Sequence, residues 1–329
     1  MLRFFRSSGK MVIVIILLTG ILTWLHVLSN QPIDASAKYG AMLFCALNRW
    51  LVDSPGWYFW CGIFLFLLLA MQLVSVNNRF HLIEKSPLLP VLCFVLLVGG
   101  IPEIHLFNPA IIAVILLMIS FRAIAKSFES DRLSYSYFFA PVFISAATFF
   151  YQYMYVYMLV VWVAIALYRP WYWREWVFSV LGYALPLFFA FSWFFLVDDD
   201  YTQLGAFLKD TFSLKQITTT ISLPTTVFMA FYFMIAFFSL LRLLQIFGSK
   251  KIIFRTRYTI LILIVGITVG LMIIVPGTLP LVWYLLAFPM SFIVANLLAT
   301  IKSFRWGTVL LLLLFIAVIA VHVYFLQLG

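Results

Sequence analysis

Few side chains in this sequence are equipped for chemistry, and most sit in short polar breaks between long apolar runs. In GGIPEIHLFNP, Glu103 and His105 stand two residues apart. A carboxylate and an imidazole so close can share a proton or a metal ion. Ionisable residues near membrane depth are read as functional by default. The same stretch also reads as a plain polar turn, punctuated by Gly99, Gly100, Pro102 and Pro109. Asp34, in SNQPIDASAKYG, is a solitary acid that equally suits a solvated loop or a helix cap. VDDDYTQ sets Asp198, Asp199 and Asp200 in a row, as a cation lure or as a span end that cannot slip into lipid.

Basic and aromatic residues form three further groups. GSKKIIFRTRY holds Lys250, Lys251, Arg255 and Arg257, which suit anionic lipid or a pyrophosphate headgroup; orientation in a membrane explains such charges as well. In YQYMYVY, Tyr153 and Tyr157 could stack on a sugar ring, while a belt of tyrosines at the membrane interface is the simpler reading. In YRPWYWREW, Arg169 and Arg174 lie among tryptophans and tyrosines, the composition of a headgroup-level anchor. Pro170 stops one helix there, and the next starts near Glu175, an acid suited to a helix N-terminus.

The elements that must position these residues follow from composition. The chain has 329 residues, 65% hydrophobic and 10% charged, with a mean hydropathy of +1.12. No soluble fold of this size has the interior to hide so much apolar surface. Lipid requires every backbone polar group to be bonded internally, which leaves helices or a closed barrel. Barrel strands alternate apolar and polar residues, whereas runs such as MVIVIILLTGILTWLHVL are continuous. The expected fold is therefore all-α, a polytopic helical membrane protein. Cys45, Cys61 and Cys93 have no metal-like spacing. The P-loop, GxSxG, HExxH and dinucleotide fingerprints are absent from the sequence. No charge falls near the middle of a span, which disfavours a proton-coupled transporter.

Apolar runs at 11–28, 57–76, 87–101, 108–121, 136–150, 152–168, 176–197, 223–243, 258–275, 281–299 and 307–327 predict about eleven transmembrane helices, with a range of ten to twelve. The third to sixth are short, and Pro90, Pro109 and Pro141 make half-spans or tilted helices an alternative. The first follows Arg3, Arg6 and Lys10 and reads as a retained helix. With the N-terminus in the cytoplasm, seventeen of the 21 Lys and Arg residues fall on the cytoplasmic side; only Lys38, Arg49, Lys209 and Lys215 lie opposite. That is a strong positive-inside bias, and it puts the C-terminus in the periplasm. The net charge of +10 is thereby topological and implies no nucleic-acid partner. One integral membrane domain over 1–329 is the simplest organisation, with a subdivision near residue 222 into a seven-span part (1–222) and a four-span part (223–329).

Two resemblances attach to these residues. NPAIIAVILLMISFRAIA (108–125), SYSYFFAP and YRPWYWREWVFSVLGYALPLFF together resemble an uncharacterised family of multi-pass inner-membrane proteins from Bacteroidota. That family's "NWREW"-like turn matches Trp173–Trp176, and its G-x-x-x-P stretch matches Gly182–Pro186. The likeness covers residues 100–195 well and implies no activity. The order of elements also resembles the GT-C architecture of lipid-linked glycosyltransferases: a cytoplasmic N-terminus, one span, a large first extracytoplasmic loop and then short helices. Ala41–Val52 is too short to span and would lie on the membrane surface. The GT-C pattern implies an acid soon after the first span, and that acid here is Asp34, without the partner acid the pattern usually has.

The leading expectation is accordingly a polyprenyl-phosphate-sugar-dependent glycosyltransferase at the outer face of a bacterial inner membrane. Asp34, Glu103 and His105 are its candidate catalytic residues, and Asp34 and Glu103 are candidate ligands for a divalent cation, Mg or Mn. Its partners would be membrane lipids and the lipid-linked donor. The alternative is a non-catalytic subunit or assembly factor of a membrane complex in envelope biogenesis or secretion, bound to other membrane proteins. A carrier for an uncharged or lipidic substrate is a third reading.

Overall fold

The computed structural model describes residues 16, 18–20, 23, 41–52, 55–83, 86–102, 105, 107–129, 135–169, 171–197, 222–275, 279–301 and 304–328. Among them there is no strand, and the order is α1 (Met42–Val52), α2 (Pro55–Phe80), α3 (Leu89–Gly99), α4 (Pro109–Ser127), α5 (Ser136–Thr148), a 3-10 segment (Gln152–Tyr157), α6 (Met158–Tyr168), α7 (Trp173–Val197), α8 (Leu223–Phe247), α9 (Ile252–Ile274), α10 (Leu279–Thr300) and α11 (Phe304–Leu328). Ile16, Leu18–Gly20 and Thr23 of the first apolar run are also helical; the rest of that run lies outside the described residues.

Seven of these helices are long and apolar enough to cross a membrane, which marks the chain as a helical membrane protein. Seven is the number among the described residues, which leave out most of the first expected span, and three of the other expected runs are shorter helices. α3 has 11 residues, α5 has 13, and the run at 152–168 divides into six residues of 3-10 helix and an 11-residue α6. At 1.5 Å per residue, an 11-residue helix rises only about 16 Å, roughly half of the hydrocarbon thickness. Of the four runs expected to be short, the fourth is the exception. α4 continues through Ser127 for 19 residues, because Asn108 caps it with Oδ1 accepting the Ile111 N–H at 3.1 Å and Pro109 fits its first turn.

Helices alternate in direction, which gives the bundle two chemically distinct ends. At one end, Arg257 at the start of α9 donates to the Phe80 carbonyl that closes α2, and to Glu129 beyond α4. Arg169, after α6, donates to the Ser127 carbonyl that closes α4. Tyr258 of α9 reaches Leu82 O. The α2–α3 turn at this end carries His81 at φ 47. Asn77 holds that turn, accepting from Ile83 N at 3.0 Å and donating to Ile83 O and Pro87 O. Arg79, Lys126, Arg174, Arg242, Lys250, Lys251 and Arg305 all fall on the same basic end, at helix termini.

At the opposite end, α1 is anchored by Ala41 N–H donating to Phe150 O at 2.9 Å and Leu43 N–H donating to Phe149 O at 3.0 Å. Phe44 stacks on Phe107 there, ring centroids 5.2 Å apart. Between the ends, α10 runs through the centre, packed by α3, α4, α8 and α9, and its Leu281–Thr300 span is wholly enclosed. A single apolar core includes Val91 of α3, Ile144 of α5, Tyr232 of α8 and Phe292 of α10. The parts before and after residue 222 therefore share one interior.

Candidate functional site

His105 is the described member of the polar pair in GGIPEIHLFNP, and the fold buries it completely. Its Nε2 lies 3.0 Å from Val98 O at the end of α3. A carbonyl only accepts, so this nitrogen carries the proton. His322, on α11, brings a second imidazole to the same place, ring centroids 5.8 Å apart. Its Nδ1 is 3.1 Å from Val318 O and its Nε2 is 3.2 Å from Thr23 O of the first helix. A neutral imidazole has one N–H and can serve one of those carbonyls at a time; an imidazolium serves both. His322 thus ties the last helix to the first. Sequence reading passed over it because a lone histidine in an apolar run, HVYFLQ, has no spacing partner. The signal is only visible in three dimensions.

An apolar groove lies at the same end of the bundle, and neither histidine lines it. It has a volume of about 480 Å³ and is lined by Pro224, Val227, Phe228 and Phe231 of α8 and by Leu313, Ile316, Ala317, Ala320, Val321 and Tyr324 of α11. These residues belong to the opening turns of α8 and the closing half of α11, so the groove is at the histidine end. Gly100 shapes it. A Cβ at position 100 would fall 1.9 Å from the Phe228 ring, so that ring can lie against the backbone only because residue 100 is glycine. Trp283, at the start of α10, is buried at the same end. Its indole N–H donates to Leu97 O at 3.0 Å, and its ring meets Tyr232 edge-on at 5.4 Å.

The other candidate residues distribute as follows. Asp34 and Glu103 lie outside the described residues, as do Asp198, Asp199 and Asp200. Among the described residues no three of His, Cys, Asp and Glu come together to hold a metal ion. His105 and His322 each direct Nε2 at a backbone carbonyl. Tyr153 and Tyr157 are buried, and the Tyr157 hydroxyl shares a hydrogen bond with Thr268 Oγ1 of α9 at 2.7 Å. The tyrosine ladder is thus enclosed in the bundle rather than displayed as an interfacial belt, because the 3-10 segment folds it against α5 and α9.

The four cations expected to act as one group in GSKKIIFRTRY separate. Arg257 turns inward and stacks 4.9 Å over Phe80 while bonded to Glu129. Arg255 is half-buried, and Lys250 and Lys251 are exposed. The aromatic turn separates in the same way. Arg169 pairs with the fully buried Glu175 at 2.8 Å, whereas Arg174 is exposed over Trp173. Trp171 is 92% exposed and Trp173 68%, the display a headgroup anchor needs. Glu175 sits in the first turn of α7, where the macrodipole favours an acid.

The site therefore offers one buried and one half-buried imidazole bound to backbone carbonyls, at the same end as an apolar slot between two long helices. Such a place can receive a hydrocarbon chain and hold a polar group near the histidine end. Compared with protein-family models, with curated proteins and with solved structures, the chain finds no match.

Proposed function

We propose that the protein acts on a lipid-linked substrate at its histidine end, and that this end faces the periplasm of a bacterial inner membrane. The observation that carries the reading is the apolar groove between α8 and α11 at the end occupied by His105 and His322. A polyprenyl or acyl tail fits a slot with these walls, and the basic end opposite fits the cytoplasmic side. The reaction favoured is sugar transfer from a polyprenyl phosphate. In that step an acceptor hydroxyl loses its proton to a carboxylate and forms the new glycosidic bond, while the polyprenyl phosphate leaves with the electron pair. Glu103 and Asp34 are the candidate bases, and a GT-C-like arrangement would bring both to this end. When bound, a divalent cation would steady the departing phosphate.

The test is glycolipid profiling of cells carrying Glu103→Ala, Asp34→Ala or the groove-filling Ala317→Trp. Loss or truncation of a glycolipid at wild-type protein level is the expected result. An unchanged profile in all three would refute the reading. A non-catalytic subunit is the second reading, and one feature favours it. Only 11% of the apolar window of α7 is buried, leaving Phe188, Phe189 and Trp193 as an open face. A stoichiometric partner retained through purification in mild detergent would favour that alternative.

A further inference from the structure

The basic end contains two kinds of cation, and the structure separates them. Arg169 and Arg257 are nine-tenths buried, and each holds a carboxylate and a helix-closing carbonyl. They work inside the fold. Lys250 and Lys251, in the turn between α8 and α9, are exposed, and neither has a carboxylate among the described residues. The two residues that follow are isoleucines, and they too are exposed, Ile252 by 73% and Ile253 by 47%. Lys250 Nζ lies 5.3 Å from the centre of the Phe254 ring. The hairpin tip therefore displays two cations with no carboxylate partner among the described residues, directly beside two uncovered aliphatic side chains.

Water suits the lysines and not the isoleucines; hydrocarbon suits the isoleucines and not the lysines. One environment suits both, the headgroup layer of an anionic membrane, where ammonium groups meet phosphates and apolar stems reach the acyl chains. We infer that the α8–α9 hairpin is a docking surface for anionic phospholipid, with Lys250 and Lys251 on the phosphodiesters and Ile252 and Ile253 among the upper acyl carbons. α8 and α9 are both long and apolar enough to span, which puts their connecting turn at the membrane surface. The inference rests on the helical membrane fold and on no enzymatic activity, so glycolipid profiling and the following test fail independently.

The experiment is lipid titration of the detergent-purified full-length protein, read by native mass spectrometry, with phosphatidylglycerol and phosphatidylcholine as probes. Each surface lysine near an anionic headgroup contributes roughly fivefold in affinity. K250Q/K251Q should therefore weaken the tightest phosphatidylglycerol adduct by about tenfold or more, leave phosphatidylcholine unchanged, and regain affinity as K250R/K251R. The pair R174Q/R305Q, which removes exposed cations elsewhere on the same end, should leave that adduct within about twofold of wild type. Phosphatidylglycerol affinity within about twofold of wild type in K250Q/K251Q would overturn the inference. So would displacement of the adduct by inorganic tripolyphosphate at the same concentration, which would assign the lysines to a soluble polyanion instead.

Discussion

Gly182 and Gly266 make opposite demands on the same substitution. Gly182 lies on α7 where it crosses α5, and a Cβ there would fall 2.2 Å from the Phe138 carbonyl oxygen and 3.1 Å from its carbon. A backbone oxygen inside a helix cannot swing aside as a side chain can. Moving the contact from 2.2 Å to at least 3.0 Å means parting the two helices locally by about 0.8 Å. A gap of that size forfeits about a quarter to a half of the dispersion energy across the affected contacts. Overpacking costs about 1–3 kcal/mol, and against a backbone atom that cannot give way the upper part of that range applies, about 2–3 kcal/mol. The intrinsic preference of a helix for Ala over Gly, about 1 kcal/mol, offsets only part of it. Gly182→Ala should therefore lose about 1–2 kcal/mol net, a five- to thirtyfold fall in the folded-to-unfolded ratio. At Gly266 on α9 nothing lies within 4 Å of the added carbon. Gly266→Ala should be neutral or gain up to about 1 kcal/mol. The assay is unfolding of the purified protein in dodecyl maltoside on titration with sodium dodecyl sulfate, followed by tryptophan fluorescence. Equal midpoints for Gly182→Ala and wild type would refute the close α5–α7 crossing and the reasoning built on it.

Three further outcomes are expected. Arg169→Leu strands the buried Glu175 carboxylate and uncovers Ser127 O, at about 3–5 kcal/mol in the same unfolding titration; adding Glu175→Gln should recover part of the loss. Tyr157→Phe and Thr268→Val, combined in a double-mutant cycle, should give a coupling of about 0.6 kcal/mol and no more than about 1.7 kcal/mol, the range for hydrogen bonds between membrane helices. Gly100→Ala should drive the Phe228 ring out of its seat and into the α8–α11 groove, costing about 1–3 kcal/mol and reducing labelling of a cysteine placed at Val227.

Hydropathy made the helices legible because lipid filters a sequence by composition along the chain. Runs at 223–243, 258–275 and 281–299 correspond closely to α8, α9 and α10. A break was also legible where local chemistry is strict: α6 closes at Tyr168, just ahead of the proline expected to stop it. Depth and partnership were not. MLVVWVAIALY and LPVLCFVLLVG are as apolar as any span, and each is an 11-residue helix; the brevity of their runs was legible, but not the division of 152–168 into a 3-10 segment and a helix. The lysines and arginines of GSKKIIFRTRY look alike in sequence; only the fold shows Arg257 turned toward Phe80 and Glu129 while Lys250 and Lys251 stay outside. Tyr157 looked interfacial because its partner, Thr268, is more than a hundred positions away. His322 was invisible as a site for the same reason: Thr23 and His105 reach it across most of the chain.

The wholly enclosed span of α10 has a consequence for how the molecule is made. Helices α3, α4 and α8 are synthesised before α10, yet each needs it as a neighbour. Until residue 300 has left the ribosome, the growing protein holds a vacancy along its axis that only lipid or a chaperone can line. A late step of assembly is then a squeeze in which Leu281–Thr300 trades fatty-acyl neighbours for protein ones. Chains truncated before Leu279 should be recognised as incomplete and degraded, even though five of the seven span-length helices among the described residues could already have inserted.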